Sequence, residues 1–175
     1  CKTQIDWLTM PYTDRFRATD SLIAHLKTFV GTITDPELKA NYAGFLSVSS
    51  VTVYELAVKD IFCEFASKKN KVFGTVIERH FNRINGRISI EDLKGIHVKL
   101  FGDKYLKKFN EKLQIKENSV FSTARVSISA DYGNLLTCRH KYVHTGSPTL
   151  TINEVIDTFK SGKEIIHCLN EAMKR

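Results

Sequence analysis

Hydrophobic residues recur at three- and four-residue intervals along most of the chain, a spacing that predicts helices and not strands. The pattern is clearest near the C-terminus, where the apolar positions share one helical face: Ile152, Val155, Ile156, Phe159, Ile166, Leu169 and Met173. Thr151 is followed three residues later by Glu154, a capping box that predicts where this last helix begins. A first helix is predicted over residues 14–30, with one apolar side formed by Leu22, Ile23, Leu26 and Val30.

A long early helix is predicted from Pro36 to about residue 67. Asp35 can cap its first backbone N–H groups, and proline is favoured at the first helical position. A broad apolar surface follows, from Val48 to Phe65. Residues 47–52 have weak helix propensity, so the helix could either continue through them or break or kink there.

The remaining pattern predicts shorter helices at residues 72–84, 90–100, 105–113 and 130–144. The first should stop at Asn85-Gly86, and Ser89 with Asp92 resembles a capping box for the second. Residues 116–119 are predicted as a loop, and residues 120–129 suit either a short strand or a helix. The fold class is therefore an all-α bundle, with a long early helix and additional short helices.

Composition fits one globular domain spanning residues 1–175, because the chain of 175 residues is 42% hydrophobic and 26% charged. No apolar run approaches the roughly 20 residues of a membrane span, so no membrane association is expected. The four cysteines show neither disulfide nor metal spacing, which favours reduced thiols in a cytoplasmic protein. Because the chain opens with Cys1 and not Met, we expect that residues ahead of it are missing or were removed.

The net charge of +7 and a pI near 9.2 favour a polyanionic partner, with nucleic acid first among them. The alternative is a surface with surplus lysine and no such partner. The basic residues are spread along the chain without a long basic tail.

Candidate chemistry is concentrated in the segment Arg139-His140-Lys141-Tyr142-Val143-His144 at the end of a predicted helix. A guanidinium can hold a phosphate through forked hydrogen bonds, and an imidazole can transfer a proton near neutral pH. On a straight helix, however, side chains five residues apart point about 140° away from each other. Convergence of Arg139 and His144 therefore needs the reach of arginine, a loosened helix end or a second subunit. The alternative is a basic helix end that satisfies its own free carbonyls.

Other readings of these residues have less support. His140 and His144 lie four residues apart, but Lys141 stands where a zinc protease motif needs glutamate, and no third ligand is evident, so no metal or other cofactor is predicted. Glu55 and Asp60 lie in the apolar stretch of the long helix. Either could orient Arg139 or a histidine in a buried ion pair, or simply face solvent. The other histidines, including His97, lie in no motif and are predicted as surface or packing residues.

The segment at 139–144, the short turn after it and the capped helix from Thr151 resemble the R-x4-6-H region of the HEPN superfamily. The resemblance implies a helical bundle that forms a homodimer, bringing two copies of the motif into one composite site. It also implies a metal-independent endoribonuclease acting on RNA as a toxin or antiphage effector, with an antitoxin or companion defence protein as a further partner. Some family toxins carry a tyrosine two residues after the motif histidine, whereas this chain has Gly146 there.

The resemblance assigns roles by position. Arg139 would stabilise charge on the phosphate, and His144 would transfer the proton, giving a 2′,3′-cyclic phosphate and a 5′-hydroxyl. His140 and Lys141 would help to bind the substrate, with Glu55 as a tentative accessory residue. Two alternatives stay open, namely a non-catalytic HEPN-like module that binds RNA or protein, and a helical scaffold.

Overall fold

The computed structural model describes residues 11–82 and 86–174, and every regular element in those ranges is helical. The α-helices are α1 (Phe16–Phe29), α2 (Pro36–Lys69), α3 (Lys71–Phe81), α4 (Ile90–Asp92), α5 (Asp103–Ala124), α6 (Ile128–Thr145) and α7 (Ile152–Met173). Short 3-10 turns flank α1 at Tyr12–Arg15 and Val30–Thr32. The all-α prediction is confirmed, whereas the strand option for residues 120–129 is wrong.

Helix α2 is continuous, so the option of a break at residues 47–52 is wrong. Asp35 caps it as expected, because its carboxylate accepts the backbone N–H groups of Glu37 and Leu38. The hydroxyls of Ser47 and Ser50 are buried and donate to carbonyls one turn earlier. Tertiary packing thus outweighs the weak local propensity.

The segment between α3 and α5 is helical but irregular. Ser89 accepts the backbone N–H of Asp92 at 3.0 Å, so α4 begins where the cap predicted. The chain then passes through a π-helical turn at Leu93–His97 and a 3-10 turn at Val98–Phe101. The predicted loop at residues 116–119 is also wrong, because α5 continues through it.

Helix α2 packs against α1, α3, α6 and α7 and forms the centre of the bundle. Its Tyr54 stacks on Phe159 of α7, with ring centroids 5.4 Å apart, and donates a hydrogen bond to the Phe159 carbonyl. Further along α2, Phe62 stacks on Phe81 and Phe101. These two aromatic clusters hold α6 and α7 on one stretch of α2 and the α3–α5 segment on the next.

Three cysteines lie in the described ranges, and all three are buried free thiols: Cys63, Cys138 and Cys168. Burial raises the pKa of the Cys63 and Cys168 thiols to about 11, so they are mostly protonated at neutral pH. None of the helices described combines the length and apolar character that crossing a membrane would require.

Candidate functional site

Helix α6 carries the basic segment to its C-terminal end without a break. Ser127 caps its start by accepting the N–H of Ala130, and Gly146 ends it in the left-handed region with φ 70°. Since α6 stays regular through Thr145, a loosened helix end does not bring Arg139 and His144 together. The two side chains leave the helix in directions about 140° apart.

A close contact between α6 and α2 fixes the motif end of α6. The ring of Tyr142 lies directly over Gly44 of α2, where an added Cβ would fall 2.1 Å from a ring carbon. Only glycine allows this approach, because any side chain at position 44 would displace the ring. This role of Gly44 could not be predicted from the sequence, since nothing local distinguishes it from other glycines.

One turn before Tyr142, Arg139 faces Glu55 across the same contact. Its Nη2 lies 4.0 Å from Oε1 of Glu55, and both side chains are mostly buried, with exposed fractions of 30% and 20%. Burial raises the pKa of Glu55, while the Arg139 charge and a backbone hydrogen bond from Gly86 act in the opposite direction. The structure therefore brings together Arg139 and the tentative Glu55, whereas Asp60 pairs with Arg15 at 2.6 Å.

The Arg139–Glu55 pair is not fully satisfied. Nε of Arg139 and Oε1 of Glu55 are buried and have no hydrogen-bond partner among the residues that the structure describes. Buried polar atoms without partners are rare in native proteins and often mark functional sites. Nε itself is closed to solvent, but the exposed part of the guanidinium can receive a phosphate oxygen.

His140 and His144 lie on the outer side of α6. Their ring centroids are 4.4 Å apart, and both side chains are exposed, as is Lys141 between them. Across residues 11–82 and 86–174, no group of three or more His, Cys, Asp or Glu side chains could hold a metal ion. The imidazoles can exchange protons with a substrate on the surface, and Lys141 can attract its phosphates.

The turn before α4 also borders the guanidinium. Gly86 has φ 79°, and a Cβ added there would lie 3.8 Å from Nη1 of Arg139. In the sequence Gly86 indicates only a helix stop, and no local pattern predicts its proximity to Arg139. The end of the helix predicted at residues 72–84 falls partly on residues outside the described ranges, and α3 itself ends at Phe81.

Exposed apolar side chains flank the contact between α2 and α6. On α2, Phe45 follows Gly44 and Leu56 follows Glu55, and both are exposed. On α6, the exposed Val143 lies one turn after Arg139. Exposed apolar side chains on both helices beside this contact are available to a second polypeptide.

Comparison with known proteins identifies the family. No curated protein and no solved structure matches the chain significantly. A family model described as RiboL-PSP-HEPN matches residues 13–175 and indicates an RNase-type or RNA-related function. Because that match covers nearly the whole chain, the protein belongs to the RiboL-PSP-HEPN family.

Proposed function

We propose that this protein is a metal-independent endoribonuclease that serves as a toxin or antiphage defence effector. The observation that carries the proposal is the arrangement on α6. A partly exposed guanidinium at Arg139 has an unpaired buried Nε, and two exposed imidazoles follow it on the same helix. Membership of an RNA-related family supports RNA as the substrate.

In the proposed reaction, the 2′-oxygen of one nucleotide attacks the adjacent phosphorus while the bond from phosphorus to the 5′-oxygen breaks. The imidazole of His144 takes the proton from the 2′-hydroxyl, and the imidazolium formed in this way returns the proton to the departing 5′-oxygen. Arg139 stabilises the charge that builds on the phosphate oxygens, and Glu55 orients Arg139. His140 and Lys141 contact neighbouring phosphates. The products are a 2′,3′-cyclic phosphate and a 5′-hydroxyl.

We propose further that the working unit is a homodimer. Within one chain, Arg139 and His144 leave a regular helix about 140° apart, and the Arg139 guanidinium turns toward Glu55 and not toward His144, which favours a second subunit as the source of the histidine. A twofold axis near Phe45, Leu56 and Val143 would set the Arg139 of one subunit against His144 of the partner subunit. It would also bury the exposed apolar face.

The test is cleavage of a structureless RNA in the presence of EDTA. Wild-type protein should cleave it, and Arg139→Ala and His144→Ala should each lower the rate by at least about 100-fold. Arg79→Ala, which removes an exposed guanidinium on α3, is the matched control and should cleave at the wild-type rate. Circular dichroism and thermal melting of each variant verify that folding is intact.

A second substrate tests the chemistry. An RNA with one 2′-deoxynucleotide should resist cleavage at that position, and mass spectrometry of the products should show the cyclic phosphate. Loss of cleavage in EDTA would contradict the metal-independent mechanism. RNA that binds but stays whole would identify a non-catalytic binding module instead, and absence of RNA binding would favour a protein-interaction module or scaffold.

A further inference from the structure

A three-residue turn ahead of α4 is held in place by three different elements. The carbonyl of Arg87 accepts a hydrogen bond from Nε2 of His97 at 2.7 Å. The carbonyl of Ile88 accepts one from the Tyr132 hydroxyl on α6, also at 2.7 Å. The backbone of Gly86 favours the ionised form of Glu55 on α2 and so lowers the pKa of that carboxyl group. Residues 86–88, which we name the Gly86 turn, are thus tied by hydrogen bonds at Arg87 and Ile88.

The Gly86 turn is also in contact with the candidate site. Gly86 lies against the guanidinium of Arg139, and its backbone helps to hold the carboxylate of Glu55. A shift of the turn would therefore alter the position of both groups. Small displacements of this kind reduce catalysis strongly, because phosphoryl transfer depends on accurate placement of charge.

His97 is an unusual residue to find at the base of this turn. Its side chain is 3% exposed and its ring lies 5.2 Å from that of Phe81, yet its Nδ1 has no hydrogen-bond partner in the described ranges. An unpaired buried nitrogen is unfavourable, and an apolar side chain would avoid this cost. It is the last residue of the π-helical turn, a deviation frequent at functional sites.

We infer that His97 is a positioning residue for the Arg139–Glu55 pair, acting through its hydrogen bond to Arg87 and the Gly86 turn. The hydrogen bond to the carbonyl requires a proton on Nε2, and burial lowers the pKa of His97, which favours the neutral ring with Nδ1 bare. The inference concerns the geometry of the pair, and its catalytic consequence rests on the proposed ribonuclease activity.

The test compares His97→Leu, which removes the donor, with His97→Gln, whose side-chain amide can still donate to the Arg87 carbonyl. In His97→Leu, hydrogen exchange within residues 86–88 should accelerate by at least about 10-fold at the Gly86 amide, the one that faces the Glu55 carboxylate. The NMR signal of Arg139 Nε, assigned by its loss in Arg139→Lys, should shift. The kcat for RNA cleavage should fall by about 10- to 100-fold with KM within about twofold of wild type. His97→Gln should restore most of each property.

His167→Leu is the matched control, because His167 is also partly buried and hydrogen-bonded, with Tyr12 at 2.6 Å, but lies away from the turn. It should leave the exchange at residues 86–88, the Arg139 signal and kcat unchanged. Unchanged exchange or an unchanged Arg139 signal in His97→Leu would overturn the inference, as would faster exchange with normal kcat. If wild-type protein cleaves no RNA, the proposed function fails, while the exchange rates and the Arg139 signal still decide the role of His97.

Discussion

The carboxylate of Glu55 is held between two opposing influences. Burial disfavours its ionised form, whereas the guanidinium of Arg139 and the backbone of Gly86 favour it, and burial is the larger effect. The net result is a pKa above the ordinary value for glutamate. The pKa of Glu55 should therefore change when an anion binds Arg139, because a bound phosphate would offset part of the positive charge that stabilises the carboxylate.

This raised pKa gives a prediction for stability against pH. The contribution of Glu55 is fully present below the pKa that it has in the unfolded chain, and it is lost as pH rises through the higher pKa of the folded state. Glu55→Gln cannot titrate, so its free energy of unfolding relative to wild type should increase between pH 4 and neutrality. Urea unfolding at a series of pH values measures this difference.

Glu111→Gln is the control for this comparison, because Glu111 is an exposed carboxylate on α5. Its free energy of unfolding should follow the wild-type pH dependence. If the curves for Glu55→Gln and wild type stay parallel over the whole range, burial does not dominate at Glu55, and the account of its environment given above is wrong.

At the scale of elements, two helical glycines should respond in opposite ways to the same substitution, because only Gly44 lies in the contact between α2 and α6. Gly44→Ala would place a Cβ within 2.1 Å of the Tyr142 ring, so α6 must move or the ring must rotate. We expect a loss of about 1–3 kcal/mol in the free energy of unfolding. Gly133→Ala on α6 meets nothing within 4 Å and should gain about 0.5–1 kcal/mol.

Thermal or urea unfolding of both variants measures these changes. Gly44→Ala should also reduce RNA cleavage, because the displaced α6 carries Arg139. Stabilisation by Gly44→Ala comparable to that of Gly133→Ala would show that the ring adapts without strain, and that α6 is not fixed at this point.

The elements that could be predicted are those encoded by adjacent residues. Asp35 and Thr151 cap helices through atoms within three residues, so their positions followed from the sequence alone. The option of a break at residues 47–52 was wrong because burial of α2 against several neighbours outweighs local propensity. The loop at residues 116–119 was wrong because these polar residues belong to an amphipathic helix whose interior side is supplied by Phe109 and Leu113.

The residues of the candidate site likewise differ in how far the sequence alone could identify them. Arg139 and His144 stand in one short segment, so residue type and spacing were enough to single them out. The placement of Glu55 beside Arg139 depends on two helices that are distant in sequence. From the sequence alone, Glu55 and Asp60 were therefore equal candidates for this place. The roles inferred for Gly86 and His97 arise from tertiary contacts, and no local pattern marks either residue.

For the whole molecule, the central question is whether each site is built within one chain or across two. Mixed dimers of Arg139→Ala and His144→Ala chains answer it, provided the chains are unfolded together and refolded. In a composite arrangement, each site combines the Arg139 position of one chain with the His144 position of the other. In the mixed dimer, one of the two sites therefore has both residues intact, and the other site has neither. Two inactive proteins should therefore regain activity on mixing, to at most about one quarter of the wild-type level.

The double variant Arg139→Ala/His144→Ala provides the opposite arm of this experiment. Mixed with wild-type chains, it leaves every composite site with one residue missing, so mixed dimers should be inactive. If each site instead lies within a single chain, the mixed dimers of single variants stay inactive and the double variant leaves its wild-type partner active. The two arrangements thus predict opposite results in both mixtures. Recovery in the first mixture together with inhibition in the second is explained only by an exchange of Arg139 and His144 between subunits.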